Sequence, residues 1–385
     1  MRLHLKHSAF VLLIGVGLLL SCNKPEVQQT NRFPSPPLLP PPAVWSCDIR
    51  AIVNATLIPV GILSSARSDM SVATAGNKIL FAGGLLSPNN YSSRVDIFDI
   101  ATNTWTTGEL TQPRSGVASA VLGKNVFFAG GERGTHLYSS RVDIYNVDSN
   151  TWNTAELGNI QNLLSGAAAG NKIVFASGAT AHIYDTITHT WKVAPLSERP
   201  GEGNCCQAVV GGIAATVIGD SIFFAGGLGD WEVHNAIDIY NLGTDTWSTS
   251  ALQAYRGFAA GISVGSKNYW AGGITFSGNN WYPSGTIEIR DMKTGASSFA
   301  CTIPRAHFSA VLKNDNIVFF TGYGEDSRNG THFDIYNVTT NTWSTGLLNQ
   351  KIQGAAIISV NNVIYVAGGT DGSGNNHNKL WKLEF

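Results

Sequence analysis

Residues 125–152 read NVFFAGGERGTHLYSSRVDIYNVDSNTW. An apolar run closes on Gly130-Gly131, an alternating segment follows at Val142-Asp143-Ile144-Tyr145, and a turn leads into Thr151-Trp152. Alternation with a period of two marks a half-buried strand, and a glycine pair lets one backbone pass close to another or take positive φ. Small-residue pairs closing an apolar run recur at Gly83-Gly84, Gly130-Gly131, Ser177-Gly178, Gly226-Gly227, Gly272-Gly273, Thr321-Gly322 and Gly368-Gly369, in steps of 47, 47, 49, 46, 49 and 47 residues. A repeat of this length is one supersecondary unit that buries its faces against its neighbours.

Each unit reads as four strands: one of small residues, the apolar run, the alternating run and a Thr-Trp strand. The outer aromatic is Trp105, Trp152, Trp191, Trp247 or Trp343, with Phe299 in the fifth unit. The pattern resembles the kelch motif over residues 51–385. That resemblance implies an all-β fold, a seven-bladed β-propeller of four-stranded blades around a central channel. Small residues such as Ser71 to Ala75 and Gly116 to Ala120 suit strands that converge on an axis, and each tryptophan suits burial between blades. The seventh unit supplies only three strands before Phe385 and would expose an edge. Stepping back 47 residues from Trp105 lands on Ile58, so residues around 52–60 are expected to complete the last blade and lock the ring.

The composition agrees with one large, short-stranded domain: 42 glycines, 10 tryptophans and 13% charged residues. With 25 basic against 26 acidic residues, no bulk charge favours nucleic acid. Ahead of the repeats, Arg2 and Lys6 precede an apolar run from Ala9 to Leu20, too short to span a bilayer comfortably. It ends in Leu19-Leu20-Ser21-Cys22, which resembles the bacterial lipobox. The resemblance implies a signal peptide over 1–21, lipidation at Cys22, and attachment at the cell envelope, on the outer membrane, with the domain periplasmic or surface-exposed. Residues 22–50 then hold the lipidated cysteine and a proline-rich spacer. A monomer is expected.

Candidate site residues lie on the face where the loops after Gly-Gly meet the blade-to-blade loops, the face kelch proteins generally use for recognition. Blade 3 has almost no loop after Ser177-Gly178, whereas blades 4, 5 and 6 carry Asp230, Trp231, Glu232 and His234, then Trp281 and Tyr282, then Tyr323, Glu325 and Arg328. Arg256 and Arg305 stand in blade-to-blade loops of that sector, and His307 stands where other blades have Gly116 or Gly354. Aromatic faces, carboxylates and guanidinium groups around a channel mouth suit stacking on, and hydrogen bonding to, a sugar or peptide. Arg67, Arg114, Arg256 and Arg305 also occupy equivalent positions, which suits a role tying blade to blade. The recurring acid (Asp96, Asp143, Asp238, Glu288, Asp334) satisfies local donors rather than doing catalysis, because it repeats in five units.

No metal or cofactor is implied. The nine histidines form no paired-ligand motif, and Asp371 to Asn375 lacks a calcium loop's distal carboxylate and reads as a turn. The tyrosine, cysteine and histidine set of galactose oxidase-type kelch rings finds no residue-by-residue match. Besides Cys22, the cysteines are Cys47, Cys205, Cys206 and Cys301. They admit a vicinal Cys205–Cys206 bond with Cys47 joined to Cys301, or free thiols. Three functions follow from the resemblance: a non-enzymatic module binding a glycan or protein, a carbohydrate-active enzyme like the sialic acid mutarotases with Glu232, His234, His307 and Glu325 as acid and base, or a scaffold of a surface complex.

Overall fold

The computed structural model describes residues 50–135, 137–158, 164–197, 211–229, 232–277, 280–324 and 326–385. Residues 1–49, which hold the expected signal peptide, Cys22, Cys47 and all of the expected spacer but Arg50, therefore lie outside the described residues, as do Cys205, Cys206, Asp230, Trp231 and Glu325. All regular elements among the described residues are β-strands.

Blade 1 runs in antiparallel order through Ser71–Ala75, Lys78–Ala82, Arg94–Asp99 and Thr104–Glu109. Five such four-stranded sheets stand alone, and an eight-stranded sheet holds the last two units side by side. The first strands of successive units touch in a closed cycle, and Ala356–Val360 of blade 7 returns to Ser71–Ala75 of blade 1.

The core is shared out between blades rather than gathered in one place. Leu80 and Val95 of blade 1 pack with Phe128 and Tyr145 of blade 2. At the other end of the chain, Tyr365 and Leu380 of blade 7 pack with Ile79 and Phe81 of blade 1. Alternation along each strand sends one set of side chains to each neighbouring blade, so every blade belongs to two clusters. Outer tryptophans are half-buried and lie on the aromatic opposite them, as Trp105 does on Phe98 at 4.8 Å and Trp343 on Tyr336 at 4.6 Å. Trp105 also covers Gly61 of the closing strand, where a β-carbon would stand 2.7 Å from its ring.

Gly83 and Gly84 show what the glycine pairs do. Both have positive φ, and a β-carbon on Gly83 would collide with the Arg114 carbonyl, while one on Gly84 would stand 2.5 Å from the Ser68 carbonyl. The backbone of blade 1 thus lies directly on the loops leading into blades 1 and 2, and Gly84 N–H donates to the Arg114 carbonyl at 2.8 Å.

The closing strand is Ala51–Ile62. Thr56 to Ile62 pairs antiparallel with Lys379–Glu384 and completes blade 7, with Ile58 opposite Lys382. The expectation for residues 52–60 is met there and exceeded upstream: Ala51 to Ala55 pairs parallel with Ser344 to Leu348, the outer strand of blade 6. One strand therefore staples two blades. Asp371 makes the expected turn, its Oδ1 accepting from Ser373 N–H at 2.7 Å and Asn375 N–H at 2.9 Å.

Candidate functional site

The loops leading into each blade carry the pieces that decide the site. In blades 1, 2, 5 and 6 that loop holds an arginine, and all four are at most 1% exposed. Arg67 donates to the carbonyls of Gly83 at 2.7 Å and Arg94 at 2.6 Å and pairs with Asp96. Arg114 repeats this on Gly130, Arg141 and Asp143. Arg305 donates to the Phe320 and His332 carbonyls and pairs with Asp334 at 2.6 Å. Arg256 donates to the carbonyls of Trp270, Gly272 and Thr286, and burial pushes its pKa down to about 10. Arg256 and Arg305, expected either to meet a ligand or to tie blades together, are buried and bonded to strand-end carbonyls, which need donors once buried.

The recurring acids act as read from their repetition. Asp96 accepts from Ser64 N–H at 3.0 Å, Asp143 from Thr111 N–H at 3.1 Å, and Glu288 from Gln253 N–H at 2.9 Å.

The residue two places after each arginine, or after its counterpart, forms the rim of the channel. These residues are Asp69, Gly116, Gly212, Phe258, His307 and Gly354, and all have φ between 50° and 63°. The rim is stitched by backbone hydrogen bonds: Asp69 N–H to Gly354 carbonyl at 2.8 Å, Phe258 N–H to Gly212 carbonyl at 2.7 Å, His307 N–H to Phe258 carbonyl at 3.2 Å. Left-handed backbone favours glycine, and three of the six described rim positions have it. Asp69, Phe258 and His307 take the same backbone; aspartate and histidine enter it more readily than phenylalanine, so Phe258 is held furthest against preference.

Those three side chains and Tyr323 form one chain of contacts. His307 stacks on Phe258 with ring centroids 4.0 Å apart, and Tyr323 meets His307 edge-on at 6.4 Å. The Tyr323 hydroxyl donates to Asp69 Oδ1 at 3.4 Å. Gly354 leaves room for this reach, since a β-carbon there would collide with the Tyr323 hydroxyl and stand 2.9 Å from Asp69 Oδ1. Tyr323 is itself fixed by a two-way backbone bridge to Ala306.

The electrostatics follow from enclosure. The His307 ring is exposed yet has protein packed around it, and the resulting desolvation lowers its pKa, favouring the neutral imidazole. The same desolvation raises the Asp69 carboxyl above the usual range, and burial with the nearby Asp69 raises the Tyr323 phenol.

Of the other expected site residues, Tyr282 is exposed and Trp281 half-buried in the hairpin strand Asn280–Pro283. His234 holds its loop through backbone bonds to Gly227 and Arg256, Glu232 is exposed beside it, and Arg328 pairs with Asp326 at 2.6 Å. The structure thus gathers His307 and Tyr323 and adds two residues that the sequence reading passed over, Asp69 and Phe258. The signal was present: the alignment that set His307 against Gly116 and Gly354 also sets Asp69 and Phe258 there.

The Kelch motif family model matches residues 66–109 and 113–156, which are blades 1 and 2 with their leading loops. The chain carries Kelch motifs in these two units. The Kelch-like protein terF of Aspergillus terreus is 26% identical over 150 residues, 34% of this chain, and the chain spans about a third (32%) of that relative's length. The solved structure of YjhT shares the fold with a TM-score of 0.50 at 13% identity, covering 83% of this chain and 95% of that chain.

Proposed function

We propose that this kelch propeller is an envelope-anchored binding module that takes a glycan at the channel mouth, on the sector running from blade 5 through blades 6 and 7 to blade 1. The observation that supports it is the rim itself: three non-glycine residues held in left-handed backbone, converging with Tyr323 on one contiguous surface. Stacked aromatic rings offer a platform for a sugar face, while a carboxyl, a phenol and a neutral imidazole offer donors and acceptors to its hydroxyls. The arginines lie beneath, locked in the frame, and play no part in the contact.

Replacing His307 or Phe258 by the residue the rim otherwise uses tests this. His307→Gly and Phe258→Gly are expected to melt within about 1 kcal/mol of the wild type, because relief of backbone strain offsets lost contacts, yet to lose retention on a glycan array. Full retention by both variants sinks the reading.

One observation favours a second reading, a mutarotase-like enzyme. Asp69 is shifted toward keeping its proton while His307 is shifted toward staying unprotonated, and an anomeric exchange needs one acid and one base. Sugar exchange spectroscopy by NMR separates the two: accelerated anomeric exchange that vanishes in His307→Gly supports the enzyme, and binding without exchange supports the module.

A further inference from the structure

Cys301 ends the outer strand of blade 5, Ser297–Cys301, and is disulfide-bonded. Its partner is one of Cys22, Cys47, Cys205 or Cys206, all outside the described residues. The surroundings of Cys301 single one out. Arg50 Nη2 donates to the Cys301 carbonyl and stands 3.4 Å from its Sγ. Arg50 Nη1 pairs with Asp334, and the guanidinium lies over the Trp343 ring at 4.6 Å. With its side chain only 8% exposed, Arg50 is pinned against blades 5 and 6 at the place where Cys301 sits. Three residues of chain span at most about 10 Å, which keeps Cys47 within reach of that sulfur.

We infer that Cys47 and Cys301 form a disulfide fastening the segment ahead of the closing strand to blade 5. The chain then meets the ring at three successive blades: covalently at blade 5, by parallel pairing at blade 6, and by antiparallel pairing at blade 7. The bond closes a loop of more than two hundred residues in the unfolded chain, and loop entropy rises with the logarithm of length, so it favours the closed ring. A pull on the preceding segment falls on the S–S bond before it reaches the hydrogen bonds of Ala51–Ile62. Formation is a thiol–disulfide exchange. One thiolate attacks a carrier disulfide, the second displaces the carrier from the mixed disulfide, and the carrier leaves as a dithiol with the two electrons and two protons the cysteines give up.

Peptide mapping of the full-length protein under non-reducing conditions tests the pairing, and it is expected to recover the Cys47 and Cys301 peptides joined. Cys301 found with Cys205, Cys206 or Cys22 overturns it. Thermal melts test the fastening. Reductant should lower the wild-type Tm by about 3–6 °C. Cys47→Ser and Cys301→Ser should each melt at that lower value and ignore reductant, while Cys205→Ser with Cys206→Ser keeps the response. A wild-type melt unmoved by reductant, or a response that survives in Cys47→Ser, also overturns it.

Discussion

Blades 2 and 6 are built alike and used differently. Each begins with a buried arginine that reaches two strand-end carbonyls and a buried aspartate, Arg114 with Asp143 and Arg305 with Asp334. Each aspartate also takes a backbone N–H of the loop, from Thr111 at 3.1 Å and from Ile303 at 3.2 Å. Two residues past the arginine they part. Gly116 has nothing within 4 Å of where a β-carbon would be, whereas His307 stacks on Phe258 and meets Tyr323. Blade 7 supplies a third version, in which Ile352 and Trp381 stand where the arginine and aspartate would be, buried in the apolar cluster it shares with blade 6. Joining blade to blade therefore tolerates either chemistry, and the rim position varies without disturbing the join.

The largest effect that can break this comparison comes from Arg114→Met. It strands Asp143 as a buried, unpaired charge and is expected to cost about 3–5 kcal/mol in urea unfolding. Adding Asp143→Trp to Arg114→Ile copies blade 7 and should recover most of that loss. A double variant no more stable than the single would show that blade 7's apolar join is not transferable. Next in size is Gly116→His, which puts blade 6's residue on blade 2. The space is open, so only the left-handed backbone is charged, about 1–2 kcal/mol; a much larger loss would mean that the rim is constrained by more than φ. The smallest effect is in pH, because the His307 ring is exposed and solvent screens most of it. Desolvation lowers its folded-state pKa, so the unfolded chain binds the extra proton first and stability falls as pH drops below about 6.5. The fall in Tm over this window should be shallower in His307→Gly, and equal slopes would show that enclosure leaves the imidazole unperturbed.

The ring was legible in the sequence because most blades repeat the same solution: a glycine pair, or a small residue and a glycine, where backbones touch, an outer aromatic, a buried acid. The site was half legible. His307 stood out by breaking the repeat, and Asp69 and Phe258 broke it in the same column, but short polar or aromatic loop residues carry no periodic signal of their own. The arginines could be read two ways. A guanidinium in a loop looks available while its recurrence suits a tie between blades, and the three-dimensional path of the carbonyls at Gly83, Gly130 and Phe320 shows the tie. The double pairing of Ala51–Ile62 was hidden as well, since nothing in residues 51–55 distinguishes a strand that runs parallel to blade 6 from one that ends earlier.

That strand also sets an order of events. Thr56 is among the first residues of the ring to leave the ribosome, and its partner is Glu384. Blade 6 can take up Ala51 to Ala55, but no amount of early collapse among the first six blades can satisfy Thr56 to Ile62, which must wait, unpaired, for the last strand to be translated. Chaperone dependence during synthesis should concentrate on this waiting stretch.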